Sequence, residues 1–355
     1  MVQYTINGLY ATQRVTGVQR YAGEICREMD GLVPAGQYEL AVPAAADIPQ
    51  LHNISVKVVG THKGFLWEQW DLPRYLRKSG TTGIHLCNVV PLLCPCGIVT
   101  VHDVSYRANP GFFRSARARL SAAWHRLQYW VITRKAELIF TDSQFSRSEI
   151  ARYYPKTRPP VAVVPCGWQH MERIAAQPDV LAQYPQLARG AYCFSMATAA
   201  PNKNLEWVLR AARANPSVWF VIAGKGNTAE AQAAGGALPE NVLFTGYLTD
   251  GAAKAMMAEC RLFLFPTLYE GFGLPPLEAL ACGAKGVMVS DTPCMREVYG
   301  NAAFYCDPAD AAPTLPTEEQ SMAKRASVRA LLDGRTWKSS AGQLVEEIQK
   351  KHLAL

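Results

Sequence analysis

The chain has 355 residues, 49% of them apolar and 18% charged, a globular composition too long for one ordinary hydrophobic core, so two domains are predicted. Gly and Pro show no period, which excludes a collagen-like chain. The 36 basic and 29 acidic side chains leave a mild +7, and no lysine- or arginine-rich run marks a nucleic-acid binder.

The opening MVQYTINGLY lacks the basic and apolar regions of a signal peptide. Strands are predicted at Tyr4–Ile6, Glu39–Val42, Val56–Val59, Ile84–Cys87, Ile98–Val101, Leu138–Thr141 and Val161–Val164. A second series follows at Tyr192–Met196, Val218–Ala223, Val242–Phe244, Leu262–Phe265 and Val287–Val289. Most are continuous apolar runs, the pattern of strands covered on both faces of a parallel sheet.

Helical periodicity fills the gaps. Val18, Tyr21, Ala22, Ile25 and Met29 share one face, with Asp30-Gly31 as a stop. Leu205, Val208, Leu209 and Ala212 repeat the spacing behind Asn202, read as the N-cap. Near the end, Trp337, Ala341, Leu344, Val345 and Ile348 form a stripe whose outer face pairs Glu346 with Lys350 and Glu347 with Lys351. The βαβα rhythm runs in two blocks, so two doubly wound α/β domains are expected, with ligands beyond the carboxyl ends of the strands.

The longest uncharged stretch, Ser79–His102, is broken by Pro91, Pro95 and several glycines and does not read as a membrane span. Ten cysteines show no metal-ligand spacing, and Cys87 and Cys193 fall inside apolar strand-like runs. Free thiols in a reducing cytosol follow. Residues 101–160 carry eleven Lys or Arg against four acids, mixed with Tyr106, Phe112, Phe113, Trp124, Tyr129 and Trp130. Two readings fit this segment: a peripheral patch on an anionic membrane, and an amphipathic helix with a solvated basic face. Trp67 and Trp70 line an acceptor channel or pack in the core.

The most informative segment is 261–290, RLFLFPTLYEGFGLPPLEALACGAKGVMVS. A buried strand ends at Pro266, a glycine loop follows, and Pro275-Pro276 open a helix that stops at Cys282-Gly283. Such a loop lets backbone N–H groups approach a ligand, and the helix N-terminus presents donors to an anion such as a diphosphate. Glu278 then suits a vicinal diol such as a ribose or hexose, or serves only to complement the helix dipole.

The segment EGFGLPPLEALACG, with Glu270 and Glu278 separated by seven residues, resembles the donor-binding signature of the retaining glycosyltransferases of family 4, the group 1 type. The likeness extends through TGVQRYA (Thr16–Ala22), VHD (Val101–Asp103), TDSQFSRSEI, VVPCGW, PNKNL, VIAGKG and FTGYLTD. It implies the GT-B fold: two Rossmann-like, doubly wound parallel-sheet domains facing a central cleft. The expected division is 1–167 for acceptor binding, 168–335 for the nucleotide-sugar donor, and 336–355 as a helix crossing back onto the first domain.

The resemblance also implies roles. Lys203 would neutralise the donor diphosphate, and the backbone amides of Phe272, Gly273 and Leu274 would hold phosphate and sugar. Glu278 would bind the ribose, and Glu270 the donor sugar near its reacting carbon. The base would lie against Gly224, Lys225, Tyr247 and Leu248. His102 would sit by the sugar, and Gly17 would let its loop approach the same place. His102, Glu270 and Lys203 are the catalytic candidates.

Two departures stand out. The family's second basic residue, a few positions before Lys203, is missing from Met196–Ala200, and Asn202 replaces the usual arginine. Lys285 replaces a usual proline.

The expected activity is metal-independent transfer, with retention, of a hexose (mannose, glucose, GlcNAc or rhamnose type) from a nucleotide-diphosphate sugar to a glycan or lipid-linked acceptor in surface polysaccharide assembly. No metal or other cofactor is expected, because fixed N–H dipoles and a lysine stabilise the leaving group. The expected location is the cytoplasm, free or peripheral at the inner face of the membrane. A catalytically silent glycan-binding subunit and a sugar-nucleotide epimerase are the rival readings.

Overall fold

The computed structural model describes residues 2–44, 46, 50–187, 190–197, 200–224 and 238–353. The chain divides into unit 1, Met1–Gly167 with Trp337–Leu355, and unit 2, Trp168–Thr336.

Among the described residues, unit 1 holds seven parallel strands: β1 (Tyr4–Asn7), β2 (Tyr38–Val42), β3 (Ser55–Val58), β4 (Thr82–His85), β5 (Ile98–Thr100), β6 (Leu138–Thr141) and β7 (Val161–Val163). Their order is β3-β2-β1-β4-β5-β6-β7. The order reverses between β1 and β4, the place where such sheets open a crevice at their carboxyl edge. Ile6, Leu40, Ile84, Val99 and Ile139 are buried on this sheet.

Strand β4 lies two residues earlier than its apolar run suggests, because Tyr4 pairs with Thr82 and Ile6 with Ile84. Leu86 and Cys87 therefore belong to the loop beyond the strand, and Cys87 is no strand residue.

The Gly17–Asp30 helix buries Tyr21, Ala22, Ile25 and Met29 as the periodicity predicts. The Trp337–Leu353 helix belongs to this unit and buries Trp337, Ala341, Leu344, Val345 and Ile348. Glu346 pairs with Lys350 at 2.8 Å, but Lys350 also takes Glu347 at 2.9 Å, while Lys351 turns to Glu137 at 4.0 Å. One lysine serves two consecutive acids one turn back, which sets the expected Glu347–Lys351 pair aside.

Among the described residues, unit 2 holds six parallel strands: β8 (Cys193–Met196), β9 (Phe220–Ala223), β10 (Val242–Gly246), β11 (Leu262–Phe265), β12 (Val287–Ser290) and β13 (Phe304–Cys306). Their order is β10-β9-β8-β11-β12-β13, reversing between β8 and β11. Strand β13, unforeseen in the sequence, is a three-residue edge strand pairing with β12 from Met288 to Ser290. Trp207, Val208, Ala211, Phe220, Ile222, Leu262 and Leu264 form one core cluster.

The Leu205–Ala214 helix is capped by Asn204, not by Asn202. Pro201 starts a 3-10 turn that absorbs Asn202 and Lys203. Asn204 then takes the left-handed conformation, φ +51°, which Asn tolerates better than most residues.

Candidate active site

The reversal between β8 and β11 brings together two loops far apart in sequence. The 3-10 turn Pro201–Lys203 follows β8, and the glycine loop 266–273 follows β11. They are fastened to each other. Leu268 donates its backbone N–H to the Asn202 carbonyl at 2.8 Å, and Asn204 Nδ2 donates to the Pro266 and Pro308 carbonyls, both at 3.0 Å. Ser290 Oγ donates to the Thr267 carbonyl at 2.6 Å from below the loop.

On this frame Lys203 Nζ donates to Glu270 Oε1 at 2.8 Å. Asn202 Nδ2 adds a longer contact of 3.4 Å to the same oxygen. The ammonium also lies 5.1 Å from the centroid of the Phe265 ring, an attraction to the ring face. Both charges are partly exposed, at 22% and 17% of their side chains. They are held in place yet open to a ligand.

The Leu274–Cys282 helix supplies the anion end. Gly273 is its N-cap at φ +81°, and its carbonyl accepts a hydrogen bond from Tyr299 OH. A Cβ there would meet Met295 Cε at 2.6 Å, so a side chain would be strained by its conformation and would push the Met295 tip aside. Of the four N–H groups that a helix start leaves without intrahelical partners, Pro275 and Pro276 carry none. Only Gly273 and Leu274 can donate, which focuses the helix dipole on two adjacent amides. Phe272 is buried just before them, with the Arg335 guanidinium 6.0 Å from its ring centroid.

Glu278 lies one turn further along that helix. His170 Nε2 lies 2.8 Å from Glu278 Oε1, with His170 almost wholly buried and Glu278 14% exposed. His170 comes from the short His170–Arg173 helix at the start of unit 2. It sets the direction of the carboxylate, and nothing in its local sequence announces this.

Gly224 follows β9 with φ +141°, and its N–H donates to the Gly246 carbonyl at 2.7 Å. That bond ties the loop after β9 to the end of β10, next to exposed Tyr247 and half-buried Leu248. Lys225 lies outside the described residues.

Gly17 and His102 belong to unit 1. Gly17 opens the Gly17–Asp30 helix on the surface, where a Cβ would meet nothing within 4 Å. His102 is buried. Its Nδ1 lies 2.8 Å from Asp142 Oδ2 and its Nε2 2.9 Å from the Leu86 carbonyl, while Tyr21 packs edge-on at 4.8 Å. Two acceptors face the two ring nitrogens, so the geometry fits an imidazolium donating on both sides. Burial opposes that charge, but the Asp142 carboxylate and the Leu86 carbonyl outweigh it and raise the pKa above the ordinary histidine value. With both nitrogens engaged, His102 has no free site for proton transfer.

The structure thus brings Lys203 and Glu270 into contact and sets Glu278 one turn into the helix behind the glycine loop, while His170, Asp142, Asn204 and Tyr299, which the sequence does not single out, have partners between 26 and 108 residues away.

Residues 183–313 match the model of a family described as glycosyl transferases group 1. Over 225 residues the chain is 30% identical to O-antigen chain mannosyltransferase B of Escherichia coli, covering 60% of this chain and 58% of that protein. The chain thus spans less than two thirds of this relative's length. It is 22% identical over 324 residues to O-antigen chain mannosyltransferase RfbU of Salmonella typhimurium, covering 87% of this chain and 83% of that one. Among solved structures, Anabaena HepE in complex with UDP and glucose superposes with a TM-score of 0.70 at 16% identity, covering 99% of this chain and 100% of that one.

Proposed function

Through residues 183–313 this chain belongs to the group 1 glycosyltransferase family and it has the GT-B fold, and from that premise we propose that it transfers a hexose, of the mannose type, from a nucleotide-diphosphate sugar to a growing surface glycan. The observation that carries the reading is the convergence of Lys203, Glu270 and the Gly273–Leu274 amides at the carboxyl edge of β8 and β11. One partly exposed ammonium and two backbone amides are the groups a departing diphosphate needs. The mannosyltransferase relatives and the UDP and glucose seen with HepE support the donor class.

The reaction breaks the bond between the sugar's anomeric carbon and the diphosphate oxygen and forms one to an acceptor oxygen, whose proton departs. Lys203 and the two amides stabilise the charge gathering on the diphosphate, and a single such donor is worth about two to three orders of magnitude in rate. Glu270 Oε1 is held by Lys203 and Asn202, which suits a carboxylate that steadies positive charge on the ring more than a covalent nucleophile. The family resemblance supports retention, with the acceptor attacking on the face the diphosphate leaves. Glu278, aimed by His170, takes the ribose hydroxyls. Because protein groups supply the charge, turnover is metal-independent, and EDTA leaves it unchanged.

The acceptor reading is a lipid-linked glycan at the cytoplasmic face of a membrane. Its support is the Ala116–Lys135 helix, with Arg117, Arg119, Arg126, Arg134 and Lys135, no acidic residue, and an exposed stripe of Leu120, Leu127 and Trp130. No helix among the described residues is long and apolar enough to cross a membrane.

The deciding experiment is a thermal-shift and calorimetric screen against GDP, UDP, ADP, dTDP and their sugars, followed by transfer assays with the binders. A ligand binding only the folded state raises the melting temperature in step with its concentration over Kd. Binding of one nucleotide, and transfer of its sugar, is the expected result. A folded protein that binds none of them ends the transferase reading.

A further inference from the structure

A diphosphate brings several negative charges, and the groups that converge around the glycine loop hold little net charge to answer them. The Lys203 ammonium is already shared with Glu270 at 2.8 Å. Glu278 adds a second carboxylate from the Leu274–Cys282 helix. The Gly273 and Leu274 amides contribute only partial charges. A polyanion bound there gains from one further cation, above all in a closed site where water screens little.

Arg335 is placed to be that cation. Its guanidinium lies 6.0 Å from the centroid of the Phe272 ring, and Phe272 stands immediately before the two donating amides. The side chain is half-buried, and among the described residues it makes no ion pair and no side-chain hydrogen bond. An arginine held near an aromatic ring with its N–H groups unspent suits an oxyanion that takes two hydrogen bonds at once.

Neighbouring cations are committed elsewhere. Arg296 is closed into two bonds with Asp291, both at 2.7 Å. Lys254, whose charge reaches Cys282 at the far end of the helix, donates to the Met171 and Ile174 carbonyls at 2.6 and 2.8 Å.

The backbone holds Arg335 close to the site. It sits in the turn after the Arg325–Asp333 helix, where its N–H donates to the Leu332 carbonyl at 3.2 Å. Three consecutive residues at the start of unit 2 grip this turn and the Glu278 carboxylate together. Trp168 Nε1–H donates to the Leu332 carbonyl at 2.9 Å, Gln169 Nε2 to the Arg335 carbonyl at 3.4 Å, and His170 Nε2 lies 2.8 Å from Glu278 Oε1. One short segment thus joins the Arg335 turn to the helix that carries both the donating amides and Glu278.

We propose that Arg335 is a donor-binding residue, meeting the diphosphate from the side of Phe272 while Lys203 meets it from the side of Glu270. This rests on the transferase reading above and adds a residue to it. Arg335 supplies the positive charge for which Met196–Ala200 and Asn202 offer no basic side chain.

Calorimetry on the full chain supplies the test, with GDP, UDP, ADP and dTDP and the monophosphate of whichever binds the wild type. Arg335→Gln should weaken the diphosphate roughly tenfold, as for loss of hydrogen bonds to a charged group, and the monophosphate less. Arg335→Lys keeps the charge without the planar fork and should fall between wild type and Arg335→Gln; it carries the comparison if Arg335→Gln does not fold. Melting temperatures of both variants are measured alongside. Equal losses for diphosphate and monophosphate, with a lowered melting temperature, would show that Arg335 acts only by packing on Phe272, and the proposal falls. Unchanged diphosphate affinity in both variants overturns it as well and leaves the transferase reading standing. A wild type that binds none of the nucleotides removes the transferase reading and this inference with it.

Discussion

At the scale of single residues, the site depends on charges held by partners distant in sequence. Lys203→Ala removes the cation and leaves Glu270 without its counter-charge. Turnover should fall by about two orders of magnitude, with a smaller loss for Lys203→Arg, which keeps the charge. A fall of less than threefold in steady-state kinetics would remove Lys203 from charge stabilisation.

His102 makes the opposite case, since its charge serves the fold. Its pKa is raised by Asp142 and the Leu86 carbonyl, with Asp103 adding to the field, against the cost of burial. A histidine raised on folding gives stability that is fully present below its unfolded value, about 6.5, and is lost as pH climbs through the folded value. The wild-type melting temperature should therefore decline as pH rises from about 6.5 through the folded value, and level off beyond it. Asp142→Asn removes the main source of the shift and should flatten the decline. Parallel pH profiles for the two proteins would show that the pair does not titrate as described.

Elements were more legible than partners. Continuous apolar runs such as LFLF and the VMVS stretch carry their own evidence, and both became central strands. The FYC strand did not, because three residues at a sheet edge have neither length nor alternation to separate them from a loop. The same limit explains Asn202 and Asn204. Either asparagine can cap a helix, and the choice was made by Pro201 and by carbonyls at Pro266 and Pro308 that lie about sixty to a hundred residues on. The glycine loop was legible because its chemistry is local: two glycines, two prolines and two carboxylates within the nine residues 270–278.

That locality makes Gly273 a sharp test of the element. Alanine there would adopt a left-handed φ and press its Cβ against Met295 and Phe265. The strain should cost about 1–3 kcal/mol and tilt the two donating amides of the Leu274–Cys282 helix. Gly273→Ala should lower the melting temperature and weaken nucleotide binding together. A variant matching wild type in both would mean that the helix start tolerates a side chain and is not the anion end.

At the scale of the whole chain, the last helix tests how unit 1 is completed. Trp337–Leu353 follows all of unit 2 in sequence yet belongs to the unit that begins the chain. Its apolar stripe was readable from spacing, but its partner was not, because periodicity says that a face is buried and is silent about what buries it. The partners are specific. Trp337 is fully buried and meets Tyr21 edge-on at 5.9 Å, and Ser340 Oγ donates to the Pro165 carbonyl at 2.6 Å. Tyr21 in turn packs against His102, so one aromatic chain links the final helix, the Gly17–Asp30 helix and the end of β5. Removing the indole leaves a cavity at the head of that chain, and Trp337→Ala should cost about 3–5 kcal/mol. Amide exchange should quicken in Gly17–Asp30 and β1 before it does in β8 and β11. Uniform quickening across both units, or none, would mean that the final helix is not part of the core of unit 1.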